Sequence, residues 1–217
     1  MWSKSKVNAF FLTIDEVDNS EQMKEFVQIY QSLIRLDYPL MLLMTGLYGN
    51  IFKLQNEKAL TFLYRAPKIY LGSLPIQNIA FSYKKYLGID DSLAKEMAEL
   101  TKGYAYAYQV LGHLMFKKEE KLIDEELLLE FDQYLLEYVY EKLYSELPRK
   151  ERQFLEAMEN GSNSIESIRK KVEVESKELG VYRSRLIKKG IIRSPMYGYV
   201  EFVLPRFKEF IDYKGTY

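Results

Sequence analysis

Residues 7–18, Val-Asn-Ala-Phe-Phe-Leu-Thr-Ile-Asp-Glu-Val-Asp, run apolar and then stop at two adjacent carboxylates. A short β-rich run bounded by a turn signal predicts a strand buried on both faces. Asp15 and Glu16 then fall at its carboxyl end. Open α/β sheets bind ligands just beyond the carboxyl ends of their strands, so this pair marks where a ligand is to be sought. A second continuous apolar run, residues 40–44, follows a stretch in which Met23, Phe26, Val27, Tyr30 and Ile34 keep helical spacing, with Asp18 or Ser20 as the cap. Asp37-Tyr38-Pro39 ends that helix. Strand, helix and strand predict a βαβ unit with a parallel sheet and a right-handed crossover.

The chain then changes character. Gly49-Asn50 reads as a turn, residues 57–64 as a helix and residues 68–71 as a short third strand closed by Leu74-Pro75. From Ile76 the spacing is helical: 76–87, 91–100 and 106–116 lead through a charged link, 117–121, into a long helix over 124–145. Leu128, Phe131, Leu135 and Tyr138 share one face of it. After Leu147-Pro148, helices are expected at 150–159, 164–171 and 176–189, the last capped by Gly190. Ile191-Ile192-Arg193 and residues 199–204 then form a hairpin about a Pro195-Met196-Tyr197-Gly198 turn. Three helices and a hairpin make a winged-helix arrangement. The expected divisions are 1–75, 76–146 and 147–217.

With 47% hydrophobic and 29% charged residues the chain is globular, not largely disordered, and 217 residues suffice for a real core. The absence of Cys excludes disulfides, thiolate metal sites and Cys nucleophiles, and fits a cytoplasmic setting. His113 is the single His, which argues against a multi-His zinc site and a Ser-His-Asp triad. The longest apolar stretch, 38–48, falls short of the roughly 20 residues of a membrane helix, and no signal-peptide pattern opens the sequence. No membrane partner is expected. Basic and acidic residues balance at 31 each, yet from Ser145 onward there are 15 basic against 11 acidic. The terminal part carries +4 and the front −4, a split that suggests modules with different partners.

The order Phe10-Phe11-Leu12-Thr13-Ile14-Asp15-Glu16, Leu42-Leu43-Met44-Thr45-Gly46, Phe62-Leu63-Tyr64-Arg65-Ala66, Leu71-Gly72-Ser73-Leu74-Pro75 and Thr101-Lys102-Gly103-Tyr104 resembles the second half of a AAA+/STAND-type ATPase. The likeness is greatest to prokaryotic, archaeal-ATPase-like ATP-binding proteins that end in a winged helix, and Tyr182-Arg183-Ser184-Arg185-Leu186-Ile187-Lys188-Lys189-Gly190 also resembles their terminal domain. The resemblance implies an α/β fold with a partial P-loop NTPase parallel sheet, then an α-helical lid and a carboxyl-terminal winged helix. In phosphoryl transfer, which is mostly positioning and charge neutralisation, it makes Asp15 the Walker B holder of Mg²⁺ through water and Glu16 the group that orients attacking water. It makes Thr45 the sensor of the γ-phosphate and Arg65 an arginine finger. The residues alone leave plainer readings open. Asp15 and Glu16 also suit an acidic turn before a helix, Thr45-Gly46 a simple turn, and Arg65 a surface ion pair.

The departures are decisive for activity. A phosphate cradle needs G-x-x-x-x-G-K-[ST], and the sequence contains no Gly-Lys dipeptide. The strand bearing Asp15 begins within the first dozen residues, which leaves no room upstream for that loop. Ala105 stands where the family places Pro after Gly-Tyr, and residues 105–114 offer no Arg as a second sensor. The expectation is a truncated, carboxyl-terminal portion of such an ATPase, inactive as written, that uses ATP and Mg²⁺ only if the P-loop is supplied.

In the terminal module Lys177, Val181, Arg185 and Lys188 line the outer face of the third helix, opposite Leu179, Tyr182 and Leu186. A winged helix lays that helix in the major groove, so Lys177, Arg183, Arg185, Lys188, Lys189 and Arg193 are the expected DNA contacts. Four phosphate contacts would give a log K against log salt slope of about −3.6. The alternatives are a free-standing winged-helix DNA-binding regulator on a degenerate ATPase scaffold and a protein-interaction module. In either, the ATPase half would serve a protein partner or self-association.

Overall fold

Strand β1 (Phe10–Ile14) pairs in parallel with β2 (Leu40–Met44), Phe10 opposite Leu40 and Ile14 opposite Met44, across helix α1 (Glu21–Arg35). The computed structural model describes residues 9–119 and 121–215, and the chain divides into two units, one up to Tyr70 and one from Leu71. The Ser20 hydroxyl accepts the Met23 amide at 3.3 Å and so caps α1, while Asp18 holds the Ser20 amide and hydroxyl. Val27 enters a small core with Leu54, Leu60 and Leu63, against which Met23, Phe26 and Met44 pack.

The expected burial of the first strand on both faces does not hold. Phe10 is 68%, Phe11 60% and Leu12 39% exposed, so β1 is open on both faces until Ile14, and Met41 of β2 is 59% exposed. The expected third strand over residues 68–71 is also absent. Residues 67–75 have neither helix nor strand, and Ile69 and Leu71 stand exposed. A strand is held by its ladder, and among the described residues no neighbour offers one. Gly49 and Asn50 lie inside α2 (Tyr48–Asn56) instead of forming a turn, and a 3₁₀ segment (Lys58–Arg65) follows where a regular helix was expected.

In the second unit α3 (Ile76–Leu87), α4 (Asp91–Leu100) and α5 (Ala105–Lys117) follow in order. Asp90 accepts the Leu93 amide at 2.9 Å and caps α4. The long helix is three pieces: α6 (Glu125–Leu135), a π-helical turn (Leu136–Tyr140) and α7 (Glu141–Ser145). Leu127, Phe131, Leu135 and Tyr140 are buried, whereas Tyr138 is 66% exposed. The spacing of four, four and then five follows the extra residue that a π turn carries. Helical periodicity alone therefore named the wrong tyrosine.

The chain ends with α8 (Arg149–Glu156), β3 (Asn163–Ser164), α9 (Ile165–Val172), α10 (Ser176–Lys188), β4 (Ile192–Arg193), β5 (Tyr199–Phe202) and an unexpected α11 (Phe207–Gly215). The three short strands form an antiparallel sheet in the order β3, β5, β4. One core runs without interruption from Ile79 to Ile211. No helix among the described residues is long and apolar enough to cross a membrane.

Gly103 sits at a close backbone approach. Its φ is +79°, its carbonyl accepts the Leu74 amide at 2.8 Å, and a Cβ there would stand 2.5 Å from the Leu74 carbonyl oxygen. Gly103→Ala is therefore expected to lower unfolding stability by about 1–3 kcal/mol, read as a fall in the denaturation midpoint.

Candidate functional site

At the carboxyl ends of β1 and β2 the ladder continues one step: the Thr45 amide donates to the Ile14 carbonyl and the Val17 amide to the Thr45 carbonyl, both at 2.9 Å. This brings two of the expected residues together. The Thr45 hydroxyl donates a short hydrogen bond to Asp15 Oδ1, and the Glu16 amide donates to the same oxygen at 3.0 Å. Glu16 turns the chain with φ +54° and is exposed. Val17 then dives into the interior, 1% exposed. Gly46 passes so close to it that a Cβ would lie 2.8 Å from Val17 Cγ2. Gly46 is thus fixed by packing, which holds Thr45 beside Asp15.

Arg65 is not drawn in. It ends the 3₁₀ segment, exposed, and no hydrogen bond or ion pair among the described residues joins it to Asp15, Glu16 or Thr45. The Asp15 carboxylate and Thr45 hydroxyl are hard oxygen donors that suit Mg²⁺ with most of its water retained. The other half of a nucleotide site is a glycine-rich cradle of amides with a lysine, and no residues of this chain fit it. No group of three or more His, Asp or Glu among the described residues is disposed to hold a metal on its own.

Comparison with solved structures decides the scaffold. A Walker-type ATPase of Pyrococcus abyssi superposes with a TM-score of 0.61 at 16% identity over 94% of this chain. The chain has a P-loop-ATPase-like fold. It spans 63% of the length of that ATPase. Residues 137–211 match the family described as Domain of unknown function (DUF8462), and no curated protein matches.

On this ATPase-like fold the outer face of α10 is where expected, with Leu179 and Leu186 buried and Lys177, Val181, Arg185 and Lys188 exposed. Its charges are not equally free. Glu151 of α8, 1% exposed, takes Lys189 Nζ at 2.7 Å and Arg185 at 3.7 Å. Arg193 is paired to Glu201 at 2.5 Å across the hairpin, and Arg183 is half-buried with its Nε lacking a hydrogen-bond partner. Lys177 and Lys188 have no ion pair among the described residues. Two features escaped the sequence reading. Glu151 was signalled only as the lone acid in Arg149-Lys150-Glu151-Arg152, and the hairpin tip projects Met196 and Tyr197, 60% and 102% exposed, where basic residues would serve DNA better.

Proposed function

We propose that this chain is the sensing and output portion of a AAA+/STAND-like ATPase. In this reading Asp15 and Thr45 face the metal and γ-phosphate side of a nucleotide whose P-loop is supplied elsewhere, and a terminal winged helix binds DNA. The chain by itself does not hydrolyse ATP. The observation that carries the first part is the Asp15–Thr45 pair at the carboxyl ends of adjacent parallel strands, the position where such sheets bind ligands. Asp15 would hold the cation through water, Thr45 would present its hydroxyl to a phosphoryl oxygen, and Glu16 would orient water, as charge neutralisation requires.

The winged-helix reading is supported by the order of α8, β3, α9, α10, β4 and β5 and by the β3, β5, β4 sheet. Lys177, Val181 and Lys188 would face the groove. With Arg185, Lys189 and Arg193 paired and Arg183 half-buried, two free phosphate contacts give an expected salt slope of about −1.8, half the value expected from the sequence.

The test is a duplex-DNA titration at several salt concentrations, with Lys188→Ala as the comparison. Weaker binding and a slope shallower by about 0.9 are expected in the variant. Salt-independent association would remove the DNA reading in favour of the protein-interaction module, for which exposed Met196 and Tyr197 speak.

A further inference from the structure

Four tyrosines gather ring to ring about the π turn that follows α6. Tyr134 and Tyr138 stack with 19° between their planes and centroids 6.0 Å apart. Tyr106 of α5 tilts onto Tyr138 at 6.4 Å, and Tyr104 stands edge-on to Tyr106 at 6.5 Å. Their hydroxyls have no hydrogen-bond partner among the described residues, whereas those of Tyr83, Tyr140 and Tyr144 are all engaged. Burial raises the Tyr106 phenol above its ordinary value, and Tyr138, Tyr134 and Glu137 act in the same direction. Three rings and one carboxylate therefore stand together. Tyr138 is 66% exposed, and π turns are frequent at functional sites.

The surroundings are acidic. Residues 124–141 hold seven acidic residues and no basic one. Asp124, Asp132 and Glu141 are paired with Lys118, Arg206 and Lys214. Glu125, Glu126, Glu130 and Glu137 have no ion pair among the described residues, and all four are exposed. The helix dipole accounts for Glu125 and Glu126 in the first turn of α6, but not for Glu130 and Glu137. Glu126, Glu130, Tyr134 and Glu137 are spaced by four, four and three and so share one flank of the helix. Glu126 and Glu130 even hold the separation at which like charges repel.

We propose that the Tyr106, Tyr134 and Tyr138 cluster and the Glu126, Glu130 and Glu137 flank bind an extended, arginine-rich segment of a partner protein. A guanidinium stacks on aromatic faces and is more weakly hydrated than an ammonium. One arginine lies on the exposed Tyr138 ring with its charge toward Glu137. The flank from Glu126 to Glu137 rises about 16 Å, the reach of about five extended residues, so further arginines meet Glu130 and Glu126. Charge selects this occupant. Nucleic-acid phosphates are repelled here, and an apolar peptide would cover Glu130 and Glu137 without supplying a counter-ion.

The experiment titrates a fluorescent peptide of five Arg-Gly repeats into the full chain and follows its anisotropy. Micromolar binding is expected. Tyr138→Ala weakens it about fivefold and Glu130→Gln about threefold, while Tyr138→Trp, which offers a better ring face, keeps or improves it. The matching Lys-Gly peptide binds more weakly. Both replaced side chains are exposed, so the variants are expected to keep the fold, which circular dichroism checks. No binding at sub-millimolar peptide would overturn the proposal. Equal binding by Tyr138→Ala would reduce the site to a general attraction of acids for cations. Spermine binding as tightly as the peptide would replace the protein segment by a polyamine, and a dimer of the chain lost in Tyr138→Ala would replace it by a second copy.

Discussion

Glu151→Gln is expected to steepen the salt dependence of DNA binding from a slope of about −1.8 to about −3.6, because it releases Arg185 and Lys189 to meet phosphates, each worth about −0.9. Glu151 is 1% exposed, while Arg185 and Lys189 keep 58% and 42% of their side-chain surface in water. The carboxylate is thus the buried partner, and the two cations lie at the surface beside Lys188. Gln keeps the shape and removes the charge, so the cations lose their counter-ion without a cavity forming. At low salt the variant binds duplex DNA more tightly. Near 1 M salt, where the Debye length is about 3 Å, the two proteins converge. An unchanged slope in a folded variant would mean that Arg185 and Lys189 lie outside the contact surface. Wild-type and variant proteins that both ignore DNA would remove the DNA reading itself.

Tyr140→Ala is expected to cost the second unit about 3–5 kcal/mol and lower its melting temperature by about 10 °C. Tyr140 is 1% exposed and stands edge-on to Phe207 with ring centroids 4.8 Å apart, with Phe210 at 5.6 Å. Its hydroxyl donates to the Pro205 carbonyl. Burial holds its phenol above the ordinary tyrosine value, so the proton needed for that bond stays in place. Tyr140→Phe separates the two contributions: losing the hydroxyl alone leaves a buried carbonyl unpaired and costs about 1–3 kcal/mol. Because the core is continuous from Ile79 to Ile211, the loss should appear as one cooperative transition shifted as a whole. Two separated transitions in Tyr140→Ala would show that the helical segment and the terminal module hold together independently of this tyrosine.

What the sequence disclosed and what it hid divide along physical lines. The apolar runs and the helical spacing of residues 20–35 were enough for the βαβ unit, and Asp15 and Thr45 could be placed at neighbouring strand ends from order alone. The outward stripe of α10 was equally plain, since Leu179 and Leu186 mark the inner face by spacing. Burial of β1 was not legible. An uninterrupted apolar run reports what a strand is suited to, not whether a partner covers it. Residues 68–71 mislead in the same way, because β propensity makes a strand only where a ladder exists. The engagement of Arg185 and Lys189 by Glu151 spans 34 and 38 positions of chain, a distance at which no local pattern speaks. Helix α11 was missed because it follows Pro205 and Arg206, the latter at φ +50°, although Phe207, Phe210 and Ile211 keep helical spacing.

The π turn at Leu136–Tyr140 gives the long helix two angular settings. One added residue rotates everything beyond it by about 100° relative to an unbroken α-helix. Leu127, Phe131 and Leu135 can therefore serve one set of neighbours while Tyr140 points to Phe207 and Phe210. The turn acts as a phase shifter in a rigid shaft. An insertion or deletion of a single residue here would be felt as a change of bearing at the far end, whereas the same change in the exposed run over residues 68–71, short of the Leu74 contact with Gly103, would be absorbed as slack.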